Sequence, residues 1–202
     1  MRFDLKRRGI MDRPSASAHG AERWQFDGFE ALDLCHRETL RMLKELDALV
    51  DRLGDIGADD RARSTAGTIE RHFSETVAAH HADEERHLFP VLSASGDAGT
   101  RQVLARLRQD HAWMDVNWRS LQPQLDALAR GHCSFDPDLF RDGSRILAAL
   151  VREHILLEES LVYPEAKRRL TDRDRASMNS EMASRRRAPR RMPAPRSAGA
   201  RS

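Results

Sequence analysis

Two segments of this 202-residue chain repeat one pattern of histidine, glutamate, an aromatic residue and proline. Residues 80–90 read HHADEERHLFP, and residues 154–164 read HILLEESLVYP. Each begins with His-x-x-x-Glu-Glu and ends on an aliphatic residue, an aromatic residue and proline. Because residues four apart share one face of an α-helix, the pattern predicts two helices that each direct one imidazole and one carboxylate toward a shared point. These pairs are His80 with Glu84 and His154 with Glu158.

Apolar residues recur at three- and four-residue steps in four stretches, which is typical of helices with one buried face. The stretches run from Phe29 to Gly54, from about Asp59 to Pro90, from about Thr100 to Gly131, and from Asp136 to about Pro164. The chain has a single tyrosine and few β-branched residues, which disfavours a sheet. Short loops make consecutive helices antiparallel neighbours. We therefore predict an all-α fold, an antiparallel up-down four-helix bundle over residues 24–170.

The segments outside the predicted bundle differ from it in composition. Residues 1–23 have no sustained period and predict a disordered leader, while residues 171–184 predict a short fifth helix. Residues 185–202 carry seven arginines and no acidic residue, and predict a disordered tail. Such a tail can contact nucleic acid or an anionic surface weakly, although a solvated end is the simpler interpretation.

Several protein classes find no support in the sequence. No apolar run is long enough to cross a bilayer, and the first residues lack the apolar segment of a secretory signal, so we expect a cytoplasmic protein. The two cysteines, Cys35 and Cys133, are far apart and indicate neither a disulfide framework nor a thiolate metal site. Glycine-rich phosphate loops and nucleophile elbows are not evident, so nothing favours a nucleotide enzyme or a hydrolase.

Two further histidines, His36 and His111, lie on the predicted inner faces of the first and third helices. His111 follows His36 by 75 residues, and His154 follows His80 by 74, so the chain looks like two similar helical hairpins. Folding them together would bring four imidazoles and two carboxylates into the interior. A lone buried carboxylate is costly, so a compensating cation is expected. The donors suit iron, manganese or zinc, and two carboxylates able to bridge favour a pair of ions.

These residues together resemble the hemerythrin-like proteins with the His-His-Glu (HHE) cation-binding domain. The resemblance covers about residues 29–170 and rests on Cys35-His36-Arg37-Glu38, on Asp110-His111 and on the two motifs with their Leu-Phe-Pro and Val-Tyr-Pro endings. It implies a non-haem di-iron centre in which the two glutamates bridge the ions. The implied ligands are His36, His80, Glu84, His111, His154 and Glu158.

Two positions depart from the oxygen-carrying members of the family that the chain resembles. Asp115 stands where they carry a second histidine, and Glu158 stands where they place an aspartate one residue further along. The lost imidazole leaves a position that is open or filled by water or by Asp115. We therefore expect a protein that binds, senses or detoxifies oxygen, nitric oxide or peroxide rather than an oxygen carrier. Two alternatives are a redox enzyme, either peroxidase-like or an iron donor in iron–sulfur cluster repair, and a metal-free module that binds through its tail.

The neighbours of the predicted ligands raise a question of register. Solvated or supporting positions are expected for the residues that lie about a hundred degrees around the helix from the ligands, namely Glu85, Glu159, Glu153 and His81. His81 with Glu85 is the main rival register, but Glu84 and Glu158 both precede a proline by six residues, which pairs His80 with His154. His81 then has no counterpart, and replacing it with alanine should be nearly silent. A ferritin-like site needs Glu-x-x-His on two helices, and the second copy fails because Leu161 stands where its histidine belongs.

Overall fold

The computed structural model describes residues 26–94, 97–132 and 136–187, and these residues form helices and no strand. The prediction of an all-α fold is therefore confirmed for the described part of the chain. The predicted leader, Cys133 and residues 188–202 of the predicted tail lie outside the described residues. No helix within the described ranges combines the length and apolar character that crossing a membrane requires.

The described helices follow one another in five continuous stretches. In chain order they are α1 (Gly28–Asp55); α2 (Asp60–Arg71), a first π-helical segment (His72–Val77), α3 (Ala78–His87) and α4 (Phe89–Ser93); α5 (Ala98–Ala129); α6 (Pro137–Leu157), a second π-helical segment (Glu158–Val162) and α7 (Tyr163–Arg169); and α8 (Asp172–Arg187).

The starts of the four long stretches share one local cause. Each begins after an aspartate whose side chain accepts hydrogen bonds from backbone N–H groups of the first turn, namely Asp27, Asp59, Asp97 and Asp136. Such caps satisfy N–H groups that have no partner inside the helix. Gly57 after α1 and Gly131 after α5 have φ values of +90° and +80°, a conformation that glycine adopts easily and that ends a helix.

The helices pack so that α1 contacts α2 and α6, and α5 contacts the same two helices from the other side. Side-chain contacts pair the last residues of α1 with the start of the second stretch, and earlier residues of α1 with later residues of that stretch. Arg52 bonds Asp59 (Nε–Oδ1, 2.9 Å), Thr39 bonds His72 (Oγ1–Nε2, 2.8 Å), and His36 meets His80 (Nε2–Nε2, 3.0 Å).

Helix α8 packs against α1 and α3. It extends to Arg187, past Arg185, where the sequence placed the start of a disordered tail. Asn179 Oδ1 accepts a hydrogen bond from the N–H of Gly28 at 2.8 Å. A Cβ atom at Gly28 would lie 2.7 Å from the terminal methyl carbon of Met178, so a larger residue there would require the flexible end of that side chain to move.

The buried apolar side chains form two clusters, one above and one below a polar layer. Along α1, Phe29 and Leu32 belong to one cluster and residues 42–49 contribute to the other, and His36 lies between them. The same order recurs on α5, where His111 lies between Leu107 and Met114. The fold therefore places a layer of polar side chains between two dry regions.

Candidate metal centre

The six residues predicted as ligands meet in this polar layer. His36 comes from α1, His80 and Glu84 from α3, His111 from α5, His154 from α6 and Glu158 from the start of the second π-helical segment. Each is at most 6% exposed. Their donor atoms form two overlapping groups in which all atoms lie within 4.8 Å of one another: His36, His80, Glu84 and Glu158, and Glu84, His111, His154 and Glu158.

The two groups share both carboxylates, and each carboxylate offers one oxygen to each group. Glu158 places Oε2 at 3.2 Å from His36 Nε2 and Oε1 at 2.9 Å from His154 Nε2. Glu84 places Oε1 at 3.4 Å from His80 Nε2 and Oε2 at 3.6 Å from His111 Nε2. Carboxylates that bridge two neighbouring cations need this arrangement.

Oxygens without hydrogen bonds show that these residues fit a cation. Glu84 Oε2 and both carboxylate oxygens of Glu158 are buried and have no hydrogen-bond partner within the described ranges. The imidazole nitrogens beside them are close in distance but do not meet them in hydrogen-bond geometry. Because a buried, unsatisfied carboxylate oxygen is costly, a cation held by imidazole and carboxylate donors would stabilise this layer.

The two carboxylates cannot both carry a full charge without help. Burial, and then the charge of Glu84, raise the pKa of Glu158 well above its ordinary value. Burial would also raise the pKa of Glu84, but the imidazoles around it, His80 foremost, lower it well below that value. Two like charges at this distance favour one ionised and one protonated carboxyl group, and a bound cation would favour ionisation of both.

The four imidazoles divide in the same way. Burial lowers the pKa of His80 to about 3, and burial with the charge of His111 lowers that of His154 to about 4. For His36 and His111 burial also acts downward, but contacts with Glu158 and Glu84 outweigh it, and both pKa values are raised. In each pair, one imidazole is thus held neutral while the other tends to keep a proton that balances a carboxylate.

The second glutamate of each motif supports an imidazole from outside the layer. Glu159 Oε1 lies 3.0 Å from His36 Nδ1, and Glu85 Oε1 lies 2.7 Å from His111 Nδ1. A carboxylate that accepts the Nδ1 proton fixes the tautomer and leaves Nε2 free to bind a cation. Both glutamates are also about half exposed, so they occupy the supporting positions at the edge of the layer that the sequence allowed.

Tyr163 is a residue of the site that the sequence did not single out. Its hydroxyl donates to Glu84 Oε1 at 2.7 Å and lies 3.1 Å from His36 Nε2. Burial raises the pKa of the phenol well above its ordinary value, which keeps the proton on the oxygen. The available signal was the aromatic residue before each proline: the Tyr163 ring stacks on His36 (centroids 5.2 Å apart) and Phe89 stacks on His111 (5.8 Å).

The structure distinguishes between the alternatives that the sequence left open for His81 and Asp115. The His81 ring stacks face to face on His111, with centroids 3.9 Å apart, which is the supporting rather than the solvated of the two positions that the sequence allowed. Asp115 has a side chain that is 56% exposed and forms an ion pair with Arg119. A cleft of about 280 Å³ runs between the second and third helical stretches, and Phe73, His81, Asp115 and Trp118 are among the residues that line it.

Buried imidazoles and carboxylates from four helical stretches, aligned between two apolar clusters, define a helical metal-binding protein. The chain belongs to the hemerythrin HHE cation-binding domain family, whose family model matches residues 27–166. It is also similar to an uncharacterised protein of Haemophilus influenzae, 29% identical over 133 residues that cover 65% of this chain and 74% of that protein. The family predicted from the sequence is confirmed.

Proposed function

We propose that this protein is an antiparallel up-down four-helix bundle that holds two carboxylate-bridged iron ions and binds and responds to oxygen, nitric oxide or peroxide. The observation that carries the proposal is the placement of the two glutamates, each of which offers one oxygen to the His36–His80 pair and one to the His111–His154 pair. A single cation would leave half of these donors unused. Mixed imidazole and carboxylate donors with redox chemistry favour iron over zinc.

Each part of the surrounding chain has a task in this proposal. Bound iron would supply one-electron redox chemistry and affinity for small ligands. Glu85 and Glu159 orient His111 and His36 through their Nδ1 atoms. The Tyr163 hydroxyl donates a hydrogen bond to Glu84 and so fixes the orientation of that carboxylate. The apolar clusters on both sides exclude water, which strengthens these electrostatic contacts.

Metal content tests the proposed centre directly. Protein purified without added metal should contain two iron ions per chain by elemental analysis, with a visible spectrum that changes on reduction. His80→Ala and Glu158→Ala should lose metal and some stability, because binding and folding are coupled. His132→Ala, at an exposed position, is the matched control and should keep both ions. Unchanged iron content in both site variants would contradict the proposed ligands, and zinc or manganese alone would contradict the choice of metal.

A second candidate function is catalytic turnover, either as a peroxidase or as an iron donor in iron–sulfur cluster repair. The observation that favours a peroxidase is the buried Tyr163 hydroxyl, a proton donor within 3.1 Å of a predicted ligand nitrogen. Titration of the reduced protein with peroxide or nitric oxide separates the two candidates. Consumption of about one equivalent per site supports binding and sensing, while sustained consumption supports an enzyme.

Two predictions from the sequence concern the surroundings of the protein rather than its centre. We propose a cytoplasmic location, and a weak contact of the arginine-rich tail with nucleic acid or an anionic surface. Deleting residues 188–202 should leave iron content unchanged, because no predicted ligand lies there. Loss of iron from the truncated protein would contradict this separation of tail and centre.

A further inference from the structure

Five histidines, not four, border the polar layer. One ring nitrogen from each of His81, His111 and His154 lies within 4.8 Å of the other two, which makes a third group of the kind that the predicted ligands form. We propose that His81 is a fifth imidazole ligand, which binds the cation at the His111–His154 end of the centre. This inference rests on the proposed function, since it assigns a ligand to a centre proposed there.

His80 and His81 are adjacent on α3, but their side chains lie at different ends of the layer. Successive residues of a helix diverge by about a hundred degrees. His80 meets His36 with their Nε2 atoms 3.0 Å apart. His81 instead packs on His111 and meets the ring of His154 with centroids 5.5 Å apart at 69°. The Glu84 carboxylate, from the same helix, spans both ends.

The rival donor for this position is turned away. Asp115 was the carboxylate considered from the sequence, but its side chain is more than half exposed and is held by Arg119. Asp110 approaches His154 only at the outer Nδ1 atom, at 3.9 Å, and also lies 3.6 Å from Arg106. Of the three groups of described residues close enough to share an ion, one contains His81 and none contains either aspartate.

A fifth imidazole makes the two cation positions different. The His36–His80 end would hold two imidazoles and two carboxylate oxygens, and the other end would hold three imidazoles and two carboxylate oxygens. His81 also lines the cleft between the second and third helical stretches. Its side chain therefore stands between that cleft and the donors of the second end.

Two variants distinguish a role of His81 as a metal ligand from a role in closing the cleft. His81→Phe keeps a ring of similar shape without a nitrogen, and His81→Ala removes the ring. If His81 is a ligand, both variants lower the affinity for one of the two ferrous ions at least about tenfold in competition with a chelator. Both should also change the visible spectrum of cobalt(II)-loaded protein, which depends on coordination number. Asp115→Asn and His132→Ala should behave as wild type.

The outcomes that overturn the inference are distinct from those that overturn the proposed function. Wild-type affinity and an unchanged cobalt spectrum in His81→Phe, with faster metal loss in His81→Ala alone, would mean that His81 only closes the cleft. A loss confined to Asp115→Asn would assign the ligand to that residue. Wild-type protein that binds no metal overturns the proposed function itself. Urea unfolding of the metal-free variants shows whether they fold, and His81→Gln repeats the test should His81→Phe fail to do so.

Discussion

Two neighbouring glutamates in each motif perform different tasks because they point in different directions. Glu84 and Glu158 face the layer and have oxygens without partners. Glu85 and Glu159 hold the Nδ1 atoms of His111 and His36 from the half-exposed rim. In both cases the supporting glutamate lies in one hairpin and its histidine in the other. The two Glu-Glu pairs thus link the two halves of the chain within the polar layer.

Glu85→Gln and Glu159→Gln should each weaken iron binding by about tenfold, with little effect on the fold. The amide keeps a hydrogen-bonding group at the same place but loses the charge that makes the imidazole a better donor. Chelator competition measures the affinity. Glu153→Gln, at a 73% exposed side chain paired with Arg106, is the control and should match wild type. Equal affinity in all three variants would mean that the Nδ1 contacts do not tune the centre.

Tyr163→Phe should keep the ring that stacks on His36 and lose only the hydrogen bond to Glu84. Phe89 fills the corresponding place in the other motif, so the fold accommodates phenylalanine there. We expect iron affinity to fall about tenfold. The free energy of unfolding of the metal-free protein should change by about 1 kcal/mol. Ser160→Ala, which removes an exposed hydroxyl bonded to a backbone carbonyl, is the control. Wild-type affinity in Tyr163→Phe would show that Glu84 needs no such support.

The sequence predicts the residues that share a helix face better than those that meet across helices. The four-residue spacing of His80 and Glu84 needs no tertiary information, and the structure brings both into the layer. The contact of Tyr163 with Glu84 joins residues 79 positions apart and depends on how two helices are rotated. The contact of His81 with His111 could not be predicted for the same reason, since the side chain that meets His81 from α5 cannot be inferred from the spacing on α3 alone.

At the scale of elements, both helical stretches that carry the motif contain a π-helical segment. One lies directly before α3, at His72–Val77, and the other begins at Glu158. A π-helical turn holds an extra residue, so it rotates the side chains that follow relative to a regular 3.6-residue period. Periodicity therefore predicted two uninterrupted helices and missed both segments.

The prolines in these helices do not all end them. Pro90 and Pro164 lie in the first turn of the short helices α4 and α7, where a missing N–H is harmless. Helix α5 continues through Pro123.

An ion pair contributes to the contact between α8 and α3. Asp83 is buried, and Arg185 and Arg186 bind its carboxylate from α8. Arg185→Ala should destabilise the protein by about 1–2 kcal/mol, less than a fully buried pair, because Arg185 is 38% exposed. Asp83→Asn in the same chain should recover part of this loss, as measured by urea unfolding. Arg173→Ala, exposed on α8, is the control, and an equal loss there would contradict a specific contact.

On the scale of the whole molecule, the carboxylates that would bind a cation in the polar layer also destabilise the metal-free fold, so folding and function conflict. The two apolar clusters stabilise the fold, while the carboxylates between them oppose it until a cation is bound. Glu158→Gln should therefore have effects of opposite sign. The metal-free protein should become more stable by about 1–2 kcal/mol, because a buried ionisable group is replaced by a neutral one of similar shape. Iron binding should weaken, since one bridging oxygen is lost. Destabilisation of the metal-free variant would contradict this account.

The same conflict predicts opposite pH dependences for the metal-free and iron-bound protein. The pKa values of Glu158, His36 and His111 are raised, so above pH 6.5 the folded metal-free protein holds more protons than the unfolded chain until these groups lose them. Its free energy of unfolding should therefore fall as pH rises, by at most about 1.4 kcal/mol per pH unit for each proton retained. The lowered pKa values of His80 and His154 act below pH 6.5 and leave this window unaffected. Binding of ferrous iron releases those protons, so iron affinity should rise over the same range. Urea unfolding at three pH values, with anaerobic iron and with a chelator, measures both slopes, and parallel slopes would show that the cation does not replace these protons.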